Sequence, residues 1–559
     1  MAKNKPVYAF EEADSKKRML LGGKGAGLSE MTRLKLPVPP GFTITTEICN
    51  KYYDNNGKLP KDVMPAVMKN IAKMEKKTGK KWNSTKNPLL VSVRSGAAIS
   101  MPGMMDTILN LGLNEKTVEG FAEQTKNPRF SWDSYRRFIQ LFGKVVFGVN
   151  DEKFDHVLDD AKEKQGVTDD SKLSVESLKS IVSKYKKICE EHTKRKFPDT
   201  PNEQLVLSIE AVFKSWMGER AIVYREKNNI TKDIANGTAV NVVTMVFGNM
   251  GDDSATGVVF TRNGHNGKKE IEGEYLINAQ GEDVVAGVRT GKSIELLKKD
   301  MPKSHKELSN ACAKLEKHFR EPQDIEFTIE QGKFYLLQTR TAKMSAAALV
   351  KTSVDMVKEK LINKDKALTR IPAQQLEALL HRTMDESKIK DFKKLAKGIA
   401  ASPGAASGIV VFDVKKAIEL GDSGKKVILV RKETKPEDVP AFFSSEGILT
   451  SLGGKSSHAA IVSRGMGKPC IVGCPELKID YDNNIGTANG MTIKEGETIT
   501  IDGSEGTVFI GEIPTVEPKV TKDFEQILAW AQKTKTLGIR ANADTPDMAK
   551  LARKFGGQG

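Results

Sequence analysis

The stretch GGKSSHAAIVSRGMGKP, residues 453–469, sets His458 between two serines and two alanines in a chain with seven histidines among 559 residues. Neutral imidazole is a good nucleophile near physiological pH because its pKa lies close to neutrality. Ser456 and Ser457 can cap a helix starting at His458, and the free N–H groups at that end would favour an incoming phosphoryl group. Gly453 and Gly454 permit a sharp strand-to-helix turn, and the small neighbours leave room for a bulky phosphate to approach. A core or capping histidine is the alternative, and residue type alone leaves both readings open. The other six (His156, His192, His265, His305, His318 and His381) lie in polar or helical stretches without such surroundings.

Three earlier segments could handle an anion. In LLGGKGAGLSEM, Gly22, Gly23, Gly25 and Gly27 surround Lys24 ahead of a helical apolar run. Glycines let backbone N–H groups approach an anion, a helix N-terminus favours negative charge, and the lysine adds a point charge. The spacing is neither a Walker A nor a GxGxxG loop, so a structural turn with an exposed lysine is the other reading. In VSVRSGAAISMPGMMDT, Arg94 ends a β-branched strand before a Ser-Gly-Ala-Ala turn, where its guanidinium could fork onto phosphate oxygens or merely pair at a strand end. Met101, Met104 and Met105, with Pro102 and Gly103, suggest a flexible loop rather than core filler. In DIEFTIEQGKFYLLQTR, period-two alternation puts Asp324, Glu326 and Thr328 on one side of a strand and Gln338 with Arg340 on one side of the next. A carboxylate, an amide oxygen and a guanidinium on one hairpin face can hold Mg2+ with a triphosphate. The bland alternative is a cross-strand salt bridge facing solvent.

The elements around these residues follow from pattern. Gly-rich turns separate strand-like runs over the first ~350 residues, an α/β or α+β pattern. Residues 115–235 are expected to be mostly helical, as in FSWDSYRRFIQLFGKVVF. From 236 the text is β-like, and Gln331-Gly332 predicts a hairpin turn. Residues 344–395 read as an arm of helices, and a compact β-rich unit follows. After it, DFEQILAWAQKT predicts an amphipathic helix, and LGIRANADTPDMAKLARKFGGQG one strand, one turn and one helix. A lone βα unit cannot bury both faces of a parallel strand, so this last piece is expected to open a larger domain.

Length implies several domains, and 39% hydrophobic with 29% charged residues reads as globular. No apolar run is long enough to span a membrane, and the start carries no export signal. Five scattered cysteines suit a reducing cytoplasm, with Cys470 and Cys474 as small core thiols rather than a metal pair. The net charge of +16 is spread over helices with interleaved acids and no nucleic-acid motif accompanies it, which argues against a nucleic-acid partner.

Taken together, the chain closely resembles the pyruvate, phosphate dikinases, which interconvert ATP, phosphate and pyruvate with AMP, pyrophosphate and phosphoenolpyruvate. The resemblance runs through GGKGAGL, VSVRSGAAISMPGMMDTILNLGLN, FGNMGDDSATGVVFTRN, GEYLINAQGEDVVAGVRTG, DIEFTIE with LLQTR, ASPGAASG, GGKSSHAAIVSRGMGKPCIVG and IRANADTPDMAKLARKFG. The sister phosphoenolpyruvate synthases usually lack the MPGMMDT run. The resemblance implies a multidomain α/β and α+β chain: an ATP-grasp-like nucleotide-binding domain at 1–350 with a helical insertion at about 115–235, and a helical linker at 351–397. A swivelling phosphohistidine domain would occupy 398–513, a linker helix 514–535, and the truncated start of a (β/α)8 barrel 536–559. It further implies that Lys24 and Arg94 grip the ATP phosphates, Glu326 and Gln338 serve Mg2+, and Arg340 faces the β- and γ-phosphates. His458 would attack the β-phosphorus and release AMP. Inorganic phosphate would then take the terminal phosphoryl as pyrophosphate, leaving phosphohistidine.

Two departures from the family pattern bear on this. Where the family usually reads Gly-Gly-Met-Thr-Ser-His, this chain has Lys455 and Ser456. Ser456 keeps a hydroxyl for control by phosphorylation, and Lys455 is expected either to steady the phosphoryl group or to be solvated. Arg540 matches an arginine that holds the pyruvate-side substrate, but the barrel's later metal carboxylates and proton-donating cysteine have no counterpart before Gly559. The chain is therefore expected to carry out the ATP and phosphate half of the reaction and to need the barrel, through which the family often dimerises, for phosphoenolpyruvate. Its competitors are a dikinase with another acceptor, such as a sugar polymer, and a nucleotide-binding phosphocarrier that docks a separate acceptor subunit.

Overall fold

The computed structural model describes residues 4–101, 105–285, 291–379, 383–384, 388–516, 521–541, 543, 545–554 and 556–559. Met104, Pro102, Gly103 and His381 lie outside the described residues. The first half is built on two antiparallel five-stranded sheets. One comprises β1 (Val7–Ala9), β2 (Gly41–Ile44), β3 (Val91–Ala97), β4 (Thr107–Leu111) and β5 (Thr238–Thr244), in the spatial order β1-β2-β5-β3-β4. The other comprises β6 (Ala255–Phe260), β7 (Glu272–Ile277), β8 (Lys292–Ser293), β9 (Gln323–Glu330) and β10 (Lys333–Thr341), in the order β10-β9-β6-β7-β8.

Between β4 and β5 the chain forms six helices, from Glu115–Thr125 to Glu219–Lys227. The apolar stripe of Pro128–Phe147 (Phe130, Tyr135, Phe138 and Phe142) packs in one core with Val91, Val93 and Ile108 of the first sheet. Asn127 caps that helix by accepting from the Phe130 amide, with proline as its first residue. The helix Arg18–Arg33 touches β3 and β5 of one sheet and β10 of the other, so it bridges the two. Its glycines are not incidental. Gly22 breaks helical geometry at φ +68°, and a Cβ there would fall 1.8 Å from the Gly96 carbonyl oxygen. Glycine alone tolerates both that conformation and that approach.

Helices Ala346–Lys358, Lys364–Thr369 and Ala373–Ala378 follow, and Val350 and Val354 pack against Phe524, Ile527 and Trp530 of the helix Lys522–Thr534. Between these helical segments lies a mixed eight-stranded sheet. Its order is Lys394–Lys397, Thr507–Ile510, Thr498–Asp502, Ala405–Val411, Val427–Arg431, Gly447–Thr450, Cys470–Val472 and Ile399–Ser402. The fourth to seventh strands of that series, Ala405–Val411 to Cys470–Val472, run parallel to one another. The helix His458–Met466 connects two of them, Gly447–Thr450 and Cys470–Val472, as a βαβ crossover requires. Cys470 and Cys474 are buried here, with thiols pushed up to about 12 by desolvation.

Two expectations are corrected. The segment read as a strand from the periodicity of EYLINAQGEDVVAGV ends at Ile277, and Gly281–Val285 is helical. No strand forms over 537–541; the amides of Gln558 and Ala541 bond the carbonyls of Ile539 and Gly559 instead. A strand is stable only when a neighbouring strand takes its hydrogen bonds, and none lies beside this segment among the described residues. No helix among the described residues is long and apolar enough to cross a membrane.

Candidate functional site

The turn at Gln331-Gly332, with φ of +49° and +72°, closes the β9–β10 hairpin and sets its register. That register places Gln338 opposite Glu326 and Arg340 opposite Asp324. Gln338 Nε2 donates to Glu326 Oε1 at 3.1 Å, and Arg340 Nε donates to Asp324 Oδ2 at 2.6 Å. The cross-strand ion pair is therefore real, but it is not a surface pair: Asp324 is 3% exposed, and its Oδ1 is buried without a hydrogen-bond partner. Burial works against the Arg340 cation, but Asp324 and Glu326 outweigh it and raise its pKa.

Lys24 reaches this hairpin from the bridging helix. Its ammonium is pushed down to about 8, first by burial and then by the Arg94 guanidinium, with Glu326 opposing and Arg340 adding to the shift. Arg94 and Arg340 thus both act against the Lys24 charge, and Glu326 is the acid that offsets them. Arg94 stands on β3, its Nε donating to Ser92 Oγ at 3.2 Å and its carbonyl accepting from Asn241 at 3.5 Å. Of the methionines beyond it, Met101 is buried in the core and Met105 packs against that core, so these two are filler rather than free loop residues.

Pairing continues across the sheet, so the two rows of this site extend to β7. Asp324 pairs with Phe260, and Phe260 with Glu272; Glu326 pairs with Val258, and Val258 with Glu274. Directly paired residues share a face. At the far end of those rows, Glu272 and Glu274 hold the loop that precedes His458. The Lys455 amide donates to Glu274 Oε1 at 3.1 Å, and Lys455 Nζ pairs with Glu272 Oε1 at 2.5 Å. A Cβ on Gly454 would lie 2.2 Å from the Glu274 carboxylate, so only glycine permits this approach. Lys455 is thus half-buried and paired with both acids rather than left to solvent alone. The Arg464 guanidinium stacks on the Phe260 ring at 5.5 Å, and Arg220 pairs with Glu437 at 2.9 Å across the same boundary.

His458 is the first residue of its helix. Ser457 caps it, its Oγ accepting from the Ala460 amide at 3.5 Å, whereas the Ser456 hydroxyl is buried without a partner and caps nothing. The imidazole is not held out into solvent. Nδ1 faces Thr434 Oγ1 at 3.5 Å, the ring meets Phe442 edge-on at 6.2 Å, and Nε2 is buried with no hydrogen-bond partner. Burial lowers its pKa to about 4, with Glu437 opposing and Lys343 contributing. The ring is therefore neutral at pH 7, and its open nitrogen is Nε2.

Lys24, Arg94, Glu326, Gln338 and Arg340 thus gather at one place, and His458, Ser456, Ser457, Gly453 and Gly454 belong to a loop and helix docked along the same sheet. Arg540 is exposed and joins neither group among the described residues. Sequence reasoning overlooked three contributors, and it placed Asp324 beside Glu326 without assigning it a role of its own. Glu272 and Glu274 carry an i, i+2 signal in EGEYLI, but nothing local names Lys455, over 180 residues later, as their partner. Thr434 reaches the ring from a different loop, with no signal in the text.

Comparison with known proteins accounts for this division. The family model described as pyruvate phosphate dikinase, AMP/ATP-binding domain, matches residues 18–58, 55–306 and 302–361. The one described as PEP-utilising enzyme, mobile domain, matches 424–506. Fold and matches define a multidomain α/β protein that joins a nucleotide-binding half to the mobile domain of phosphoenolpyruvate-utilising enzymes. The chain is 52% identical to the pyruvate, phosphate dikinase of Entamoeba histolytica over 99% of its own length and 62% of that protein's. For the enzyme of Clostridium symbiosum the figures are 49%, 99% and 63%. For the chloroplastic dikinase 1 of Arabidopsis thaliana they are 46%, 99% and 58%. The chain belongs to the pyruvate, phosphate dikinase family, and it spans about three-fifths of the length of these relatives.

Proposed function

We propose that this chain performs the nucleotide half of a dikinase reaction: ATP phosphorylates His458, AMP leaves, and inorganic phosphate is converted to pyrophosphate. The observation that carries the reading is the pair of rows across the second sheet. One end bears Gln338, Glu326, Arg340 and Asp324, and the other bears the acids that hold the His458 loop. In this reading donor and acceptor lie along one sheet, which supports the positioning that such catalysis needs.

In this reading the first half of the chain is an ATP-grasp-like domain. Lys24, Arg94 and Arg340 neutralise the triphosphate, and the neutral His458 supplies the nucleophile. The Nε2 lone pair forms the N–P bond to the β-phosphorus, and the bridging P–O bond breaks with its electron pair passing to AMP. The ring keeps its proton on Nδ1, facing the Thr434 hydroxyl. Phosphate then attacks the terminal phosphorus of the pyrophosphoryl group, leaving phosphohistidine. Glu326, Gln338 and the unpartnered Asp324 oxygen form an all-oxygen donor set that fits Mg2+. Among the described residues no group of three or more acid, histidine or cysteine side chains could cage a metal. A magnesium ion here would draw its other ligands from phosphate and water, and it would supply charge neutralisation. Transfer to pyruvate, giving phosphoenolpyruvate, is the second half of the proposal and belongs to the barrel, with Arg540 on the pyruvate side.

The test is incubation with β-labelled ATP, Mg2+ and phosphate. The protein should acquire an acid-labile, base-stable label, and AMP should appear. Equal labelling of His458→Ala would defeat the assignment.

A further inference from the structure

Resting on that reading, we propose that Lys343 is the cation that meets the phosphoryl group between the triphosphate site and His458. It follows Arg340 by three residues, just past the end of β10. The side chain is solvent-exposed yet lines a cleft whose opposite wall is the His458 helix, through Val462, Gly465 and Met466. His458, Val462 and Gly465 are spaced i, i+4, i+7 and so share one face of that helix. The lysine lies against this face: a Cβ on Gly465 would be 3.1 Å from both its Cδ and its Nζ. Glycine at 465 gives the lysine room to move.

The charges around Lys343 make it a poor structural residue and a good transit cation. Its ammonium forms no ion pair among the described residues; burial in the cleft disfavours its charge most, Arg340 adds to that, and Asp324 opposes it. Asp324 is already taken up by Arg340. On the other side the lysine acts on His458, together with Glu437. Lys343 is therefore the residue electrostatically linked to both the phosphate-site arginine and the histidine. A cation left without a carboxylate in a confined cleft is disfavoured until an anion arrives. The travelling group here is a pyrophosphoryl anion, whose β-phosphorus loses its bond to the AMP oxygen as its bond to Nε2 forms. Lys343 exchanges no proton and forms no covalent bond; it neutralises charge on the non-bridging oxygens during the transfer. A flexible four-carbon stem with three rotatable donors can follow that group, whereas Arg340 is held by its ion pair.

The experiment compares wild type, Lys343→Met, Lys343→Arg and His458→Ala in single-turnover labelling from β-labelled ATP, together with the KM for ATP and a thermal melt. Lys343→Met should keep its melting temperature and hold KM within about three-fold, while the labelling rate falls by about 10²-fold, the usual cost of losing one transition-state donor. Lys343→Arg should restore much of the rate. The assignment is overturned if Lys343→Met labels within about two-fold of wild type. It is equally overturned if the loss is matched by a rise in KM and arginine does no better than methionine. If wild type takes no label, or His458→Ala labels normally, the histidine reading fails first and takes Lys343 with it; normal wild-type labelling with an inert Lys343→Met substitution defeats only the lysine.

Discussion

Raising the pH isolates one part of the proposed phosphate site, because Lys24 is held at about 8. Its folded pKa lies below the ordinary lysine value, so the cation is present at low pH and is lost as pH rises through 8. At pH 7 about nine-tenths of the molecules carry the charge, and at pH 9 about one-tenth do. If Lys24 grips the triphosphate, kcat/KM for ATP in the labelling reaction should fall about ten-fold between those values. Since kcat/KM reports the free enzyme, whereas bound ATP returns the pKa toward normal, kcat should fall far less over the same range. Lys24→Arg retains its charge at every accessible pH, and its kcat/KM limb should move up beyond pH 9. The assay is initial-rate labelling from β-labelled ATP at fixed excess Mg2+ and constant ionic strength. A wild-type kcat/KM that is flat to pH 9.5, or a Lys24→Arg profile with the same limb near 8, would refute the reasoning.

Three further outcomes follow from the same geometry. His458 should remain neutral well below an ordinary histidine: in NMR titration, the imidazole signal absent from His458→Ala should stay in its neutral position at pH 5.5. Because its folded pKa, about 4, lies below the unfolded value, its contribution to stability is complete above about 6.5 and is lost as pH falls toward 4, amounting to at most about 3 kcal/mol. Gly22→Ala should cost about 2–6 kcal/mol in denaturant unfolding, from the positive φ together with the clash against the Gly96 carbonyl; a loss under 1 kcal/mol would show that the helix entry relaxes freely. Lys455→Met or Glu272→Gln should loosen the docked pose. The pair is partly open, at 34% and 11% exposure, so the effect should stay below about 1 kcal/mol and be mimicked by raising salt. Distances between spin labels on the two halves check this, and a distribution unmoved by either substitution or by 1 M salt counts against the latch.

Much of the site was legible because it rests on short-range rules. Turn chemistry at Gln331-Gly332 and period-two alternation suffice to put Glu326 and Asp324 on one face and Gln338 and Arg340 on the next. A serine before an alanine-rich run suffices to start a helix at His458. Glycines flanking Lys24 announce a close backbone approach, which Gly22 makes to Gly96. Each of these depends on residues within a few positions, where backbone sterics and local hydrogen bonds dominate.

Only the tertiary structure decided which side chains meet. Arg340 could have faced solvent, and it is the burial of Asp324 that turns their pairing into a fixed feature of the site. Lys455 read as a residue for the phosphoryl group or for water, and Glu272 and Glu274 take it instead. His458 read as projecting from a platform of small residues, and Thr434 and Phe442 close over its ring. The strand expected in LGIRANAD has the right composition but no neighbouring strand among the described residues. In each case the outcome turns on partners outside the local segment, and charge burial and strand pairing are properties of the partner as much as of the residue. The sequence by itself determined the chemistry available and the local elements that present it; the fold alone decided the pairing, the burial and hence the pKa values on which that chemistry depends.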